Sequence, residues 1–233
     1  MSNVQTVFIV DSDVDSQQQV GRIVNSMGLR HESFSTARDF LERYDAHRPG
    51  CVILEVRIPD ANGLHLQQQI AQRPHSVPAI FLSTHASVPL AVKAIQQGAV
   101  NFLEKPAVEQ ELWDSVQLAL RLDRQRRAAA AELDNLHQQL SLLTGKEREV
   151  LDLIARHKTT SEMATELGVS VRTIEFRRAR MLEKLNLSTP LQLAHFAVLA
   201  AHQCGCRSHY ADVAFSDGGQ RKTPPLVSLY TIR

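Results

Sequence analysis

Four short apolar runs, each closing on residues able to carry charge or make hydrogen bonds, constrain the first half of this chain more than any other feature. Val7-Phe8-Ile9-Val10 ends in Asp11-Ser12-Asp13, and Cys51-Val52-Ile53-Leu54 ends in Glu55. Ala79-Ile80-Phe81-Leu82 ends in Ser83, and Val100-Asn101-Phe102-Leu103 leads to Lys105-Pro106. Short apolar runs alternating with amphipathic stretches make an α/β fold, a doubly wound parallel sheet covered by helices on both faces. Ligands of such sheets collect at the carboxyl ends of the strands. The rim predicted here gathers Asp11, Ser12, Asp13, Glu55, Ser83 and Lys105.

The second half carries helical spacing instead. Thr144 stands three residues before Glu147, where a threonine caps a helix and the glutamate returns the bond, so a helix is expected to begin near Gly145. Another is expected from Ser161 to Leu167, ended by Gly168, which can take positive φ. Ser170 caps a third, whose Ile174, Met181 and Leu185 form an apolar stripe. Its other side presents Arg172, Glu175, Phe176 and Ala179, flanked by Thr173, Arg180 and Lys184. Between Ser170 and Lys184 five cations face two anions, in a chain whose formal net charge is only +1. A glycine-containing turn followed by a basic helix describes an all-α helix-turn-helix domain with one basic docking face.

Between the halves, residues 121–142 combine Arg124, Arg126, Arg127 and four alanines with Leu133, Leu136 and Leu140, a spacing that continues to Leu143. A helical linker with a short coiled-coil-like seam is expected, able to pair two chains or to fold back on the first domain. Leu191 to Ala201 reads as a further helix. Residues 204–233, with Gly218-Gly219 and Pro224-Pro225, read as a flexible tail. Cys51, Cys204 and Cys206 are the only cysteines, and neither an export signal nor a membrane-spanning stretch is evident. The expectation is a cytoplasmic protein without a membrane partner. Cys204 and Cys206 lack the four-ligand spacing of a zinc site. The boundaries read from sequence are 4–120, a linker over 121–142, 143–203 and the tail.

The first-half motifs resemble the receiver domain of bacterial response regulators, in its FixJ-like branch. They are Val7 to Asp11, Glu55-Val56-Arg57-Ile58-Pro59-Asp60-Ala61-Asn62-Gly63-Leu64, and Gly98 to Pro106. The second half resembles the LuxR/NarL-type DNA-binding domain through Leu143 to Leu151, Ala164 to Ser170, and Arg172-Thr173-Ile174-Glu175 with Lys184-Leu185. The resemblance implies a (βα)5 receiver controlling a DNA-binding output. In such receivers a histidine kinase phosphorylates an aspartate beside a magnesium ion. Glu55 matches that acceptor, Asp11 and Ser12 the acidic pair, Ser83 the hydroxyl and Lys105 the lysine that contact the phosphoryl group. Phe102 matches the aromatic switch position, although a phenylalanine there equally serves as core. Pro106 is expected to follow a cis peptide bond.

Two of the five rim positions depart from the family. The extra methylene of Glu55 displaces the carboxylate by about 1 Å, enough to cost roughly 10²-fold in an in-line transfer. Ser12 removes a negative ligand and Asp13 is turned away along the strand, so magnesium at Asp11 and Glu55 is expected to be weak, with no other metal or cofactor. Three uses of Glu55 stand open: partial replacement of a phosphoaspartate through Lys105 and Ser83, a structural ion pair with Lys105, or residual phosphorylation. In the output domain, His157, Thr160, Ser161 and Arg177 stand where the family has glycine, asparagine, lysine and histidine. The resemblance places Glu175, Phe176 and Ala179 at base edges, and Thr173, Arg177, Arg178, Arg180 and Lys184 on phosphates.

These features lead to a non-enzymatic transcription regulator acting on double-stranded promoter DNA, expected as a homodimer and independent of aspartyl phosphorylation. A conventional regulator phosphorylated by a histidine kinase, and an adaptor working through protein contacts, are the alternatives.

Overall fold

The computed structural model describes residues 4–203, and the tail with Cys204 and Cys206 lies outside the described residues. The chain divides into two units between Asn135 and Leu136. In the first, strands β1 (Thr6–Val10), β2 (Arg30–Phe34), β3 (Gly50–Leu54), β6 (Ala79–Ser83) and β7 (Asn101–Glu104) form one sheet. Helices α1 (Val14–Ser26), α2 (Ala37–Arg43), α3 (Gly63–Ala71), α4 (Val88–Gln96) and α5 (Glu109–Ser141) connect or follow them. A small antiparallel hairpin, β4 (Arg57–Ile58) and β5 (Ala61–Asn62), interrupts the path from β3 to α3.

Strand order is β2-β1-β3-β6-β7 and every pairing in this sheet is parallel. The unbroken apolar runs reflect burial on both faces. Phe8, Val10, Phe34, Val52, Leu54 and Phe81 point to one side, where Phe40 of α2 and Leu66 and Ile70 of α3 cover them. Val7, Ile9, Cys51, Ile53, Ile80 and Leu82 point to the other, against Val20 and Val24 of α1 and Leu112, Val116 and Leu120 of α5.

The second unit packs α6 (Gly145–Ala155), α7 (Thr160–Glu166), α8 (Val171–Lys184) and α9 (Pro190–Gln203) around Val150, Leu153, Met163, Ile174, Met181 and Leu193. Thr144, Thr159 and Ser170 cap α6, α7 and α8 through their side chains.

The linker expected over 121–142 is helical through Ser141, as the C-terminal part of α5. Helix α5 runs unbroken from Glu109 to Ser141, because no glycine or proline interrupts it and its alanines favour continuation. Three of the seam leucines are taken up within this chain. Leu136 and Leu143 are buried in the core of the second unit and Leu140 packs against it, so this chain itself uses the apolar stripe. No helix among the described residues is long and apolar enough to cross a membrane.

Candidate functional site

Parallel registry builds the rim. Val10 pairs with Leu54 across β1 and β3, so the next residues, Asp11 and Glu55, leave the sheet side by side. The Glu55 N–H donates to the Val10 carbonyl at 2.9 Å, and the Lys105 N–H donates to the Ser83 carbonyl at 3.0 Å. The chain then doubles back so tightly that a Cβ on Gly63 would lie 2.2 Å from the Glu55 carbonyl oxygen, which only glycine avoids. Both carboxylate oxygens of Asp60 accept from the N–H groups of Ala37 and Arg38 at 2.9 Å, fastening the β4–β5 hairpin to the start of α2.

Lys105 lies between two carboxylates. Its Nζ is 2.5 Å from Asp11 Oδ2 and 2.9 Å from Glu55 Oε2. Glu55 Oε1 accepts from the Ser83 hydroxyl at 2.5 Å and the Val56 N–H at 2.6 Å. Asp11 Oδ1 accepts from the Asp13 N–H at 3.0 Å. Asp11 and Glu55 are only 4 % and 5 % exposed, so the network is shielded from water. Burial alone would raise the Glu55 carboxyl. The Ser83 and Lys105 hydrogen bonds, the lysine charge and the Val56 N–H outweigh it and bring the group below its ordinary value. Burial likewise opposes charge on Lys105, yet its bonds to Asp11 and Glu55 raise it above its ordinary value.

The other rim residues take different places. Asp13 caps α1, accepting from the Asp15 N–H at 3.0 Å, and Ser12 is exposed. Phe102 is half-buried and stacks on Phe81 with centroids 5.8 Å apart. The Lys105-Pro106 peptide is cis. His85 bonds to Ser83 Oγ through its N–H, and its ring lies 3.4 Å from Arg57 Nη1.

Helix α8 buries Ile174 and Met181 and turns Arg172, Glu175, Phe176, Ala179 and Arg180 outward. Phe176 is 63 % exposed, an unusual position for a large aromatic, and the Arg180 guanidinium lies over its ring at 5.8 Å. Arg180 also pairs with Glu183, while Arg178 donates to Thr160 Oγ1 at 3.2 Å. The Thr173 hydroxyl stands 2.8 Å from that of Ser170, and Arg177 is half-buried. Lys184, expected on a phosphate, is engaged internally: its Nζ donates to Glu147 Oε2 at 2.7 Å. The capping carboxylate of α6 thereby also holds the end of α8.

A five-stranded receiver sheet with this rim and a helix-turn-helix in one chain point to one family, and sequence comparison decides it. Residues 7–117 match the response regulator receiver domain, and residues 141–197 match the bacterial regulatory proteins of the luxR family. The transcriptional regulatory protein TdiR of Thauera aromatica is 34 % identical over 202 residues, covering 87 % of this chain and 89 % of that protein. This chain is a response regulator with a LuxR-type output domain. The response regulator protein TodT of Pseudomonas putida is 35 % identical over 183 residues, 78 % of this chain and 81 % of that one. The solved structure of the response regulator StyR superposes with a TM-score of 0.75 at 35 % identity, covering 83 % of this chain and 98 % of that one. The family consists of DNA-binding transcriptional regulators, not enzymes.

Magnesium, which the family implies, would find only the carboxylates of Asp11 and Glu55 on this rim, since Asp13 caps α1. The ion needs near-octahedral oxygen ligands, and here the Lys105 ammonium bridges those two carboxylates, 2.5 Å from Asp11 and 2.9 Å from Glu55. Sequence reasoning linked Lys105 to Glu55 but missed the claim of Asp11 on the same ammonium, and it missed Asp60 as the fastener of the hairpin. The turn-forming Asp60-Ala61-Asn62-Gly63 string was the available signal for the latter.

Proposed function

We propose that this response regulator binds its operators without aspartyl phosphorylation, with Glu55 holding the rim as a transient phosphoryl group holds it in relatives. One observation carries the reading: the buried Glu55 carboxylate takes the Ser83 hydroxyl on one oxygen and the Lys105 ammonium on the other. A phosphoaspartate is expected to recruit those two donors only when made, whereas a glutamate holds them permanently. Magnesium has no part in this state, since Lys105 supplies the positive charge between the carboxylates. The purely structural ion pair is disfavoured by Ser83, a donor that an Asp11–Lys105–Glu55 group does not need for charge balance.

On DNA, α8 enters the major groove as the recognition helix. Glu175 accepts from a cytosine amino group, Phe176 meets a thymine methyl, and Ala179 leaves room for the base edges. Thr173 and the basic group Arg172, Arg177, Arg178 and Arg180 face phosphates. The protein works in the cytoplasm as a homodimer on paired half-sites, and a histidine kinase is not required for its grip.

The test uses the full chain and a duplex that it selects from a randomised pool. Wild type is expected to bind without treatment and to gain no mass from a small acyl phosphate plus magnesium. Glu55→Asp is expected to weaken binding and make it responsive to that donor. Wild-type protein inert on DNA until phosphorylated at Glu55 would overturn the proposal, as would a Glu55→Asp variant indistinguishable from wild type.

A further inference from the structure

The apolar grip of the first unit on α5 ends at Leu120, the last α5 residue in its core. Asp123 and Arg127 continue the same face by one and two turns, and polar contacts hold them. The Asp123 side chain is 1 % exposed and accepts from the Gly50 N–H at 2.9 Å. Arg127 Nε lies 2.9 Å from both Asp123 oxygens. Its Nη1 donates to the carbonyls of Ala46 and His47 at 3.1 Å, and its Nη2 to those of Arg48 and His75 at 2.9 and 3.2 Å. Every N–H of the guanidinium therefore finds an acceptor. Lysine, with a compact ammonium, cannot reproduce that planar fork.

The position of this clamp gives it a use. Gly50 begins β3, and Glu55 directly follows the end of that strand, about 16 Å further along. Beyond Arg127, the next buried residue of α5 is Leu136, which belongs to the core of the second unit. In the chain, only the alanine-rich residues 128–135 of α5 lie between the clamp and the first residue of the second unit. A core stabiliser would be met by another apolar residue at these positions. A charged fork bonded to four loop carbonyls instead fixes both the rotation and the height of the helix.

We propose that Asp123 and Arg127 are positioning residues for transcriptional output: they set the helix leading to the DNA-binding unit against the foot of the strand that carries Glu55. The proposal rests on the assigned role of the rim only in naming Glu55 as the group at the other end of that strand.

Full-length wild type, Arg127→Gln and Arg127→Lys are compared by amide hydrogen exchange and by affinity for the selected duplex. Arg127→Gln is expected to speed exchange across residues 128–135 by about tenfold and to change DNA affinity by about fivefold or more. Arg127→Lys, which keeps the charge without the fork, should fail to rescue either, and it carries the test alone if the glutamine variant does not fold. A purely structural clamp would lower the melting temperature while leaving affinity within about twofold of wild type, and that outcome overturns the proposal. So does unchanged exchange over 128–135. Glu55→Gln measured alongside separates the two readings: if it leaves DNA affinity untouched while Arg127→Gln changes it, the rim reading fails and the clamp stands.

Discussion

At the scale of single residues, the rim derives its properties from sharing. One ammonium serves two buried carboxylates, and one carboxylate takes a hydroxyl as well, so Glu55 and Lys105 each hold the other in its charged form. This sets a pH dependence. Folded Glu55 titrates below its ordinary 4.5, so its contribution to stability is complete above that pH and is lost as the pH falls through the lower folded value. Folded Lys105 titrates above its ordinary 10.5, so its contribution is complete below that pH and is lost as the pH rises through the higher folded value. The pair is therefore expected to contribute evenly from pH 4.5 to 10.5. Urea unfolding of wild type and Glu55→Gln across acid pH checks this: the variant should be less stable at neutrality, and the difference should shrink below pH 4.5.

At the scale of elements, the helix-turn-helix is governed by its ends. Helices α6, α7 and α8 close alike. The N–H groups of His157 and Lys158 donate to Ile154 and Leu153, those of Gly168 and Val169 to Thr165 and Ala164, and those of Asn186 and Leu187 to Glu183 and Leu182. Each is a Schellman closure whose pivot needs positive φ. Gly168 (φ 62°) meets this freely and Asn186 (φ 53°) tolerates it, but His157 (φ 57°) is strained. His157→Gly is expected to stabilise the second unit by about 1 kcal/mol, read from urea unfolding followed by helical circular dichroism. An unchanged midpoint would mean that the imidazole makes a compensating contact. These closures were legible at Gly168, where the residue type announces the conformation. They were illegible at His157, where a tertiary requirement overrides the preference of the side chain.

At the scale of the whole molecule, a nearly neutral chain concentrates its binding charge on one helix. Of the cations expected on phosphates, Lys184 is committed to Glu147, while no side-chain partner engages Arg177 among the described residues. Arg177→Ala is expected to weaken operator and unrelated duplexes alike and to reduce the slope of log affinity against log salt by about 0.9. Phe176→Ala should instead leave that slope unchanged and narrow the preference for the operator by about 1–3 kcal/mol. Competition binding across a salt series separates the two; equal slopes for both variants would remove Arg177 from the phosphate contacts.

Local chemistry determined much of this protein from sequence alone. Continuous apolar runs require two-sided burial and hence a parallel sheet. Thr144 and Ser170 start helices by their own hydrogen bonds, and Glu55, Ser83 and Lys105 sit at strand ends that such a sheet must bring together. Tertiary structure alone decided the partners of shared groups: whether Lys105 serves one carboxylate or two, whether Lys184 faces DNA or Glu147, and whether the leucines after Leu133 face another chain or their own core. Caps and strand patterns depend on neighbours a few residues away. An ammonium or a leucine stripe satisfies whichever partner the fold brings within reach, and residues far apart in the chain define that reach.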